Sequence, residues 1–488
     1  MLNVPTFETV HDIGLFLADA GYDTANITGQ LHLTEGLRAD LSNLTVQLEK
    51  TNGESLLPVL ARLFFVGWPV PADLCGRLLP PQFLSNALAA GLLIEKNANL
   101  EAQATLIPFA NFVVACDSPR LTAGDPDRVV GPGRATLLIA RAAVRGQAER
   151  TLDIGCGTGV LSIAAAAYSR EVTGIDLSPR ARAFSEFSAA LNGVKNATFA
   201  CGDGFEPVKG QRFSRILSNP PFFLSPAKTY TFCDSPLELD GFSRLIAQQA
   251  PAHLEVGGYF QMISEWVEVK GRPWADRIRE WTADSGCDVL VNTGMVSTAL
   301  QYAEKRFAEA KMLFGERTDE SLRRHLDYFA QHQVENVLVG IVTMRKRQGE
   351  NWFSTIASCP VNPAVPEALE ERFATTTAAF QSATELLAGR FRMTADAALD
   401  QRISLSEEGW RVHSTDILKT GPFEDRLRIE GAAIPLLQLF DGRLTLEQIA
   451  ARLAEEASLS GDQARHLCVQ LCQRLLQSSF IRPFEPTG

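Results

Sequence analysis

The segment TLDIGCGTGVLSIA, residues 151–164, constrains the fold more than any other stretch of this 488-residue chain. Residues 152–154 read as the end of a strand, 155–159 as a tight loop, and Val160 onward as the first turn of a helix. Glycine at alternate positions lets the backbone turn sharply and come close to a ligand where a Cβ would collide. A strand feeding a helix through such a loop opens a βαβ unit, which commits the chain to a parallel sheet with crossover helices. The following text agrees. EVTGIDLS, ARAFSEFSAALNGV, ATFACGD, FSRILSNPPF, FSRLIAQQAPAHL, GGYFQMIS and DRIREWTADSG follow as alternating strand and helix patterns. DVLVNTG and NVLVGIVTMRKR read as closing strands. Between them, about 40 residues (295–334) read as a helical insertion, longer than an ordinary connection.

The glycine spacing narrows the ligand. A dinucleotide fingerprint would put glycines at 155, 157 and 160, whereas position 160 is Val160 and the third glycine is Gly159. That points to another adenosine ligand. Asp176 ends the second strand 17 residues beyond Gly159. An acid there faces the same crevice and accepts hydrogen bonds from ribose hydroxyls. The third strand ends in CGDGF, which puts Asp203 at the crevice edge, suited to an adenine amino group. Each aspartate alone reads equally as a loop cap; in order, at successive strand ends, they read as a site. The fourth strand ends in SNPPF. Pro220 and Pro221 remove two backbone donors and stiffen the loop. Asn219 offers a side-chain carbonyl and Pro220 a main-chain one. A planar NH₂ group can donate one hydrogen to each, with Phe222 against its face.

These motifs resemble those of class I S-adenosylmethionine-dependent methyltransferases. NPPF is similar to the motif of N-methyltransferases of the "methyltransferase small" and HemK/PrmC type. That group includes release-factor glutamine methyltransferases and rRNA or tRNA base methyltransferases. The resemblance covers residues 126–350 and implies a Rossmann-like, seven-stranded α/β domain that uses S-adenosyl-L-methionine and no metal. It implies that Asp153, Gly155, Cys156, Gly157 and Gly159 hold the methionine part of the cofactor. Asp176 would take the ribose and Asp203 the adenine. Asn219 would also contact the cofactor, and with Pro220 it would hold the target nitrogen in line with the sulfonium methyl. Residues 128–136 (RVVGPGRAT) stand where related enzymes carry a loop over the cofactor, with Gly131 and Gly133 allowing close approach. Phe222 replaces the tyrosine usual in the glutamine enzymes, and their proline-arginine loop is missing.

The flanks read differently. In residues 1–125, SLLPVLARLFFVGWPVPADLCGRLLPPQFLSNALAAGLLIEK gives helix, turn, helix and strand, as in a winged helix, and residues 102–115 look like strand material. Residues 351–488 end in a second winged-helix-like module, where Thr445 and Gln448 form a capping-box pattern. The net charge is −11, yet residues 101–250 sum to only +1, so the acidity lies largely outside the glycine-loop region. No segment is a basic patch, which weighs against promiscuous phosphate binding. The 9 scattered cysteines, without a CxxC, read as reduced thiols in the cytoplasm, and Cys468 and Cys472 as a core pair. No signal peptide and no membrane span is expected.

Several residues outside the motifs carry weaker expectations. Tyr230, Asp234 and Asp240 could wall an acceptor pocket or belong to a plain surface loop. Trp266 reads as core, and Arg323, Arg324, Arg345, Lys346 and Arg347 as a solvated face. The favoured function is N-methylation of a side-chain amide or exocyclic amine, with a protein acceptor ahead of RNA. In the RNA reading the terminal modules contact the nucleic acid. A non-catalytic ligand-sensing regulator is the reading from another class.

Overall fold

A computed structural model describes residues 2–33, 44–122, 124–314, 319–357, 365–406, 409–421, 423, 425–430 and 433–485. Cys359 and residues 315–318 of the expected insertion lie outside them. The chain divides into two compact units, Met1–Asn351 and Trp352–Gly488.

Seven strands of the first unit lie side by side. They are β1 (Ala148–Ile154), β2 (Ser169–Asp176), β3 (Ala197–Cys201), β4 (Phe213–Ser218), β5 (Leu254–Val269), β6 (Cys287–Thr298) and β7 (Val334–Lys346), in the order β3-β2-β1-β4-β5-β7-β6. Their apolar runs are buried, as in Leu152, Ile175, Ile216 and Phe260, because crossover helices cover both faces of a parallel sheet. These helices are α1 (Arg134–Ala142), α2 (Val160–Ala166), α3 (Pro179–Leu191), α4 (Gly241–Gln249) and α5 (Trp274–Trp281). α3 starts immediately after β2: Ser178 accepts from the Ala181 N–H and Pro179 occupies the first turn.

The pairing is parallel across β3, β2, β1, β4 and β5. β7 departs from the expected parallel run and is antiparallel to both β5 and β6. The connection explains this. Helices α6 (Ala299–Phe314) and α7 (Asp319–Gln331) leave β6 at its carboxyl end, and β7 starts there, with Asn336 opposite Thr298. A strand entering from that end must run backwards. The same geometry puts the insertion at the carboxyl ends of the strands, beside the point where the order reverses between β1 and β4, where open α/β sheets bind ligands.

The first 117 residues are continuous with this unit. Helix Phe7–Asp19 crosses α3 so closely that a Cβ on Gly14 would stand 1.8 Å from the Leu191 carbonyl oxygen. Val10, Ile13 and Leu17 share a core with Phe184, Phe187 and Leu191. Hairpin Ala104–Phe109 and Phe112–Asp117 docks on α3 through Asn192 and Ser188, which accept from Val113 and Ala115 at 2.9 and 3.0 Å. Between these lie strand Val70–Pro71, helices Ala72–Leu78 and Pro81–Ala89, and strands Leu93–Lys96 and Asn99–Ala102, which form a three-stranded sheet.

The expected solvated face at residues 345–347 is corrected. Arg345 and Arg347 both pair, at 2.8 Å, with a fully buried Asp288 on β6. Desolvation raises that carboxyl and the two guanidiniums outweigh it, so its pKa lies below the usual range. Lys346 donates to the Ser285 carbonyl at 2.7 Å. Register places all three here: Arg345 is directly opposite Asp288. Arg345→Ala should destabilise the protein by about 1.5–3 kcal/mol in urea melts, whereas a solvated arginine would leave the midpoint unchanged. Arg323 and Arg324 on α7 are exposed.

In the second unit, Thr445 and Gln448 make the capping box reciprocally, at 2.9 and 3.3 Å, at the start of helix Leu446–Ala457. Cys468 and Cys472 are buried on one face of helix Gly461–Gln477. Strands Asp441–Thr445, Arg390–Met393 and Ile481–Pro483 form one sheet, and Ala397–Ser406, Gly409–Lys419 and Asp425–Ile429 a separate antiparallel one. Among the described residues all eight cysteines are free, and no helix is long and apolar enough to cross a membrane.

Candidate active site

The loop after β1 is built as its glycines require. Gly155, Gly157 and Gly159 have φ of 73°, 55° and 80°, a region that side chains with a Cβ rarely occupy. The N–H groups of Gly155 and Cys156 donate to the Ile175 carbonyl of β2 at 2.8 and 3.0 Å, which ties the loop to the neighbouring strand. A Cβ added at Gly155 or Gly157 would meet nothing within 4 Å, so both border open space. Gly159 serves another purpose: it packs on α3, where a Cβ would come within 3.2 Å of the Ser185 Cα. Cys156 is buried, with its sulfur 3.4 Å from the Ser185 hydroxyl.

Asp153, at the end of β1, is 1% exposed. Its Oδ2 accepts from the N–H and hydroxyl of Ser162 on α2, at 3.0 and 2.7 Å. Its Oδ1 is buried with no hydrogen-bond partner. Burial pushes its pKa up to about 7, against the two bonds from Ser162 that lower it. Asp176 is less enclosed. Its two oxygens accept from the N–H groups of Ser178 and Gly157, each at 2.9 Å. Desolvation again raises the pKa, and these backbone donors oppose it. Asp176 thus fixes the glycine loop while a lone pair on each oxygen remains for a ligand. Asp203 is exposed in the loop after β3, and its main-chain carbonyl accepts from Glu206 at 3.0 Å.

Asn219 follows β4. Its Nδ2 donates to the Thr136 hydroxyl at the start of α1, at 3.0 Å, and its Oδ1 has no partner among the described residues. Phe222 is 6% exposed and meets Phe223 edge-on, with ring centroids 5.7 Å apart. Asp153, Gly155, Cys156, Gly157, Asp176, Asp203, Asn219, Pro220 and Phe222 line one cleft of about 2790 Å³, and Gly159 does not. A single small-ligand pocket usually measures about 300–1,000 Å³, so this cleft has room for a cofactor and an acceptor together.

Two walls enclose the NPPF end of the cleft. On one side, the loop before α1 is tied to the loop after NPPF: Thr231 donates to the Pro126 carbonyl and to Asp127, both at 3.1 Å, and Arg128 lies 5.4 Å from the Phe232 ring centre. On the other, the insertion grips that loop. Tyr302 and Arg306 of α6 both bond the carboxylate of Glu265 on β5, and the Arg306 guanidinium covers the Phe223 ring. The Leu224 N–H donates to the Tyr302 hydroxyl at 3.1 Å, and the Leu239 N–H to Tyr328 of α7 at 2.8 Å. Burial raises the Glu265 carboxyl and Arg306 opposes it. Glu265 thus anchors the insertion to β5.

Tyr230 lines the cleft, and so does Asp234, whose carboxylate accepts from the Thr229 and Tyr230 N–H groups at 2.9 and 3.0 Å. Asp240 belongs elsewhere: it is buried against Arg277, at 2.7 Å, and caps the Val267 N–H at 3.0 Å. Trp266 is fully buried, as expected of core. The sequence reading did not single out Ser162, Glu265, Tyr302 or Arg306. Ser162 carries a local signal, a hydroxyl within the first turn after a glycine loop. The others meet only through tertiary packing. Among the described residues no cluster of His, Cys, Asp and Glu could hold a metal ion.

Residues 132–267 match the methyltransferase small domain family. Among curated proteins, the chain is 34% identical over 119 residues to the ribosomal RNA small subunit methyltransferase C of Alcanivorax borkumensis, covering 24% of this chain and 33% of that one. It is 34% identical over 152 residues to the release factor glutamine methyltransferase of Geobacter sulfurreducens, covering 28% of this chain and 52% of that one. The chain therefore spans about half or less of these relatives. A solved structure of Trm5b from Pyrococcus abyssi is 16% identical, covers 51% of this chain and 61% of that one, and has a TM-score of 0.30. Together with the strand order and the glycine loop, the sequence matches identify residues 132–267 as a methyltransferase small domain, of the HemK/PrmC-like class I kind.

Proposed function

We propose that the protein is an S-adenosyl-L-methionine-dependent N-methyltransferase whose acceptor is a planar nitrogen, a side-chain amide or an exocyclic amine. One observation carries this reading: Asn219 faces the cleft with its amide nitrogen already bonded and its carbonyl oxygen open. That is a hydrogen-bond acceptor with no partner of its own, beside the Pro220 carbonyl, in a loop that two prolines stiffen. The residues also fit the cofactor. Gly155 and Gly157 border space that a Cβ would enter, and the buried Oδ1 of Asp153 suits a cationic group. In this reading Asp153, Gly155, Cys156 and Gly157 hold the methionine part, Asp176 the ribose and Asp203 the adenine. Gly159 shapes the loop from behind.

Bound S-adenosyl-L-methionine supplies an electrophilic methyl group. The chain supplies position. Asn219 and Pro220 each accept one N–H of the acceptor, which aims the nitrogen's lone pair into the cleft and favours a more tetrahedral nitrogen. Orientation of this kind accounts for up to about 7–11 kcal/mol of a barrier. Phe222 closes the site against water. No side chain need take a proton before transfer: the methyl would leave sulfur as a neutral thioether, and the proton shed by the methylated nitrogen would then pass to solvent.

A protein acceptor is favoured by the acidic balance and by Arg345 and Arg347 being committed to Asp288. An rRNA base is the second reading, supported by the relatives that methylate ribosomal RNA. We place the protein in the cytoplasm on its free cysteines. We divide it into an N-terminal region to 125, a methyltransferase region 126–350 and an accessory region from 351. The small sheets and paired helices of the two flanking regions support winged-helix-like modules. Purified protein incubated with methyl-labelled cofactor and cell extract should label a macromolecule beyond the extract's own background, and digestion of separate portions with protease and RNase tells the two acceptors apart. Label resistant to both treatments sinks both readings, and no label at all favours the ligand-sensing regulator.

A further inference from the structure

We propose that Thr136 is a positioning residue that sets the catalytic amide of Asn219, an inference that rests on the N-methyltransferase reading above. A side-chain amide has one accepting and one donating end of nearly the same shape. Only the oxygen end can receive an acceptor N–H; turned by half a rotation, Asn219 would present its own NH₂ to the substrate's, donor against donor. With the oxygen in the cleft, Nδ2 must find a partner on the protein side. Thr136 Oγ1 is that partner, at 3.0 Å.

Thr136 is well placed to do this. It lies in the first turn of α1, and its hydroxyl also receives the Gly133 N–H at 3.4 Å, as part of the helix cap. Two N–H donors, one from the GPG loop and one from the NPPF loop, therefore converge on one oxygen. That oxygen connects the segment before the sheet to the acceptor clamp, 83 residues away in sequence. Without it, Nδ2 would remain half-buried and unpaired. The residue acts through Asn219 and need not touch the acceptor.

The test compares Thr136→Val, which keeps the shape and removes the hydroxyl, with Thr136→Ser, Asn219→Ala and the Val/Ala double variant. Initial transfer of labelled methyl from S-adenosylmethionine into cell-extract macromolecules is read at saturating cofactor. Cofactor affinity is read by calorimetry. Thr136→Val should slow transfer at least tenfold with cofactor Kd within twofold of the parent. Thr136→Ser should keep the rate within threefold. On the Asn219→Ala background, Thr136→Val should cost nothing further, because the group it positions is already gone. A Val variant within threefold of the parent overturns the assignment. So does a loss that multiplies with that of Asn219→Ala, or one accompanied by a tenfold weaker cofactor Kd, since these describe a structural cap. A parent protein that transfers no label at all refutes the N-methyltransferase reading instead, and the assignment with it.

Discussion

Asn219→Ala should reduce methyl transfer by the cofactor-loaded protein about 10²–10³-fold, or about 2.7–4 kcal/mol, the range for losing one oriented hydrogen-bonding group at a reacting centre. As the nitrogen attacks, it gains positive charge and its hydrogens become stronger donors. The bond to the Asn219 oxygen therefore strengthens on the way to the transition state, and an interaction of that kind governs kcat. Cofactor affinity should stay within about twofold, because Asn219 bonds Thr136 and not the glycine loop. Rates at saturating cofactor, together with a calorimetric Kd, separate the two effects. Turnover within threefold of the parent would remove Asn219 from the chemistry.

The site was legible where a residue's task is imposed by its own backbone. Gly155 and Gly157 had to be glycine because the loop takes positive φ beside open space, and that need shows in spacing alone. Gly159 shares the positive φ but carries a second constraint, α3 packing behind the loop, which no local pattern reveals. Asp176 was singled out by its place at a strand end; its bonds to Gly157 and Ser178 were not foreseen, though Ser178-Pro179 is a readable helix start. The opposite limit is Asp288. Nothing near it in sequence predicts that Arg345 and Arg347 arrive across an antiparallel pair, because that depends on β7 returning from the carboxyl end. Asp240 fails for the same reason, its partner Arg277 lying on a helix beyond the next strand. In the second unit, strand Ala397–Ser406 escaped notice because its alternating Leu399, Ile403 and Leu405 are 48–66% exposed and answer to no core.

Asp153 supplies the second large effect, and it is a pH dependence. The folded protein holds this carboxyl at about 7 through burial, with one oxygen unpaired, whereas an unfolded chain would hold it at about 3.9. Between those values the native state binds a proton that the unfolded state does not. This group therefore makes the ligand-free protein less stable as pH rises from about 4 to about 7, the reverse of a salt-bridged aspartate. Cofactor binding has the opposite sign. S-adenosylmethionine brings an ammonium and a sulfonium, and a positive charge near Oδ1 favours the carboxylate. Affinity should be full above pH 7 and fall about tenfold per unit below it, about a hundredfold between pH 8 and pH 5. Asp153→Asn keeps an oxygen for Ser162 and removes the titration. Its Kd should be weaker at pH 8 and nearly level down to pH 5. Calorimetric titrations of both proteins across that range decide the matter: parallel slopes would show that another group governs the pH dependence, and a flat parent would show that Asp153 meets no cation.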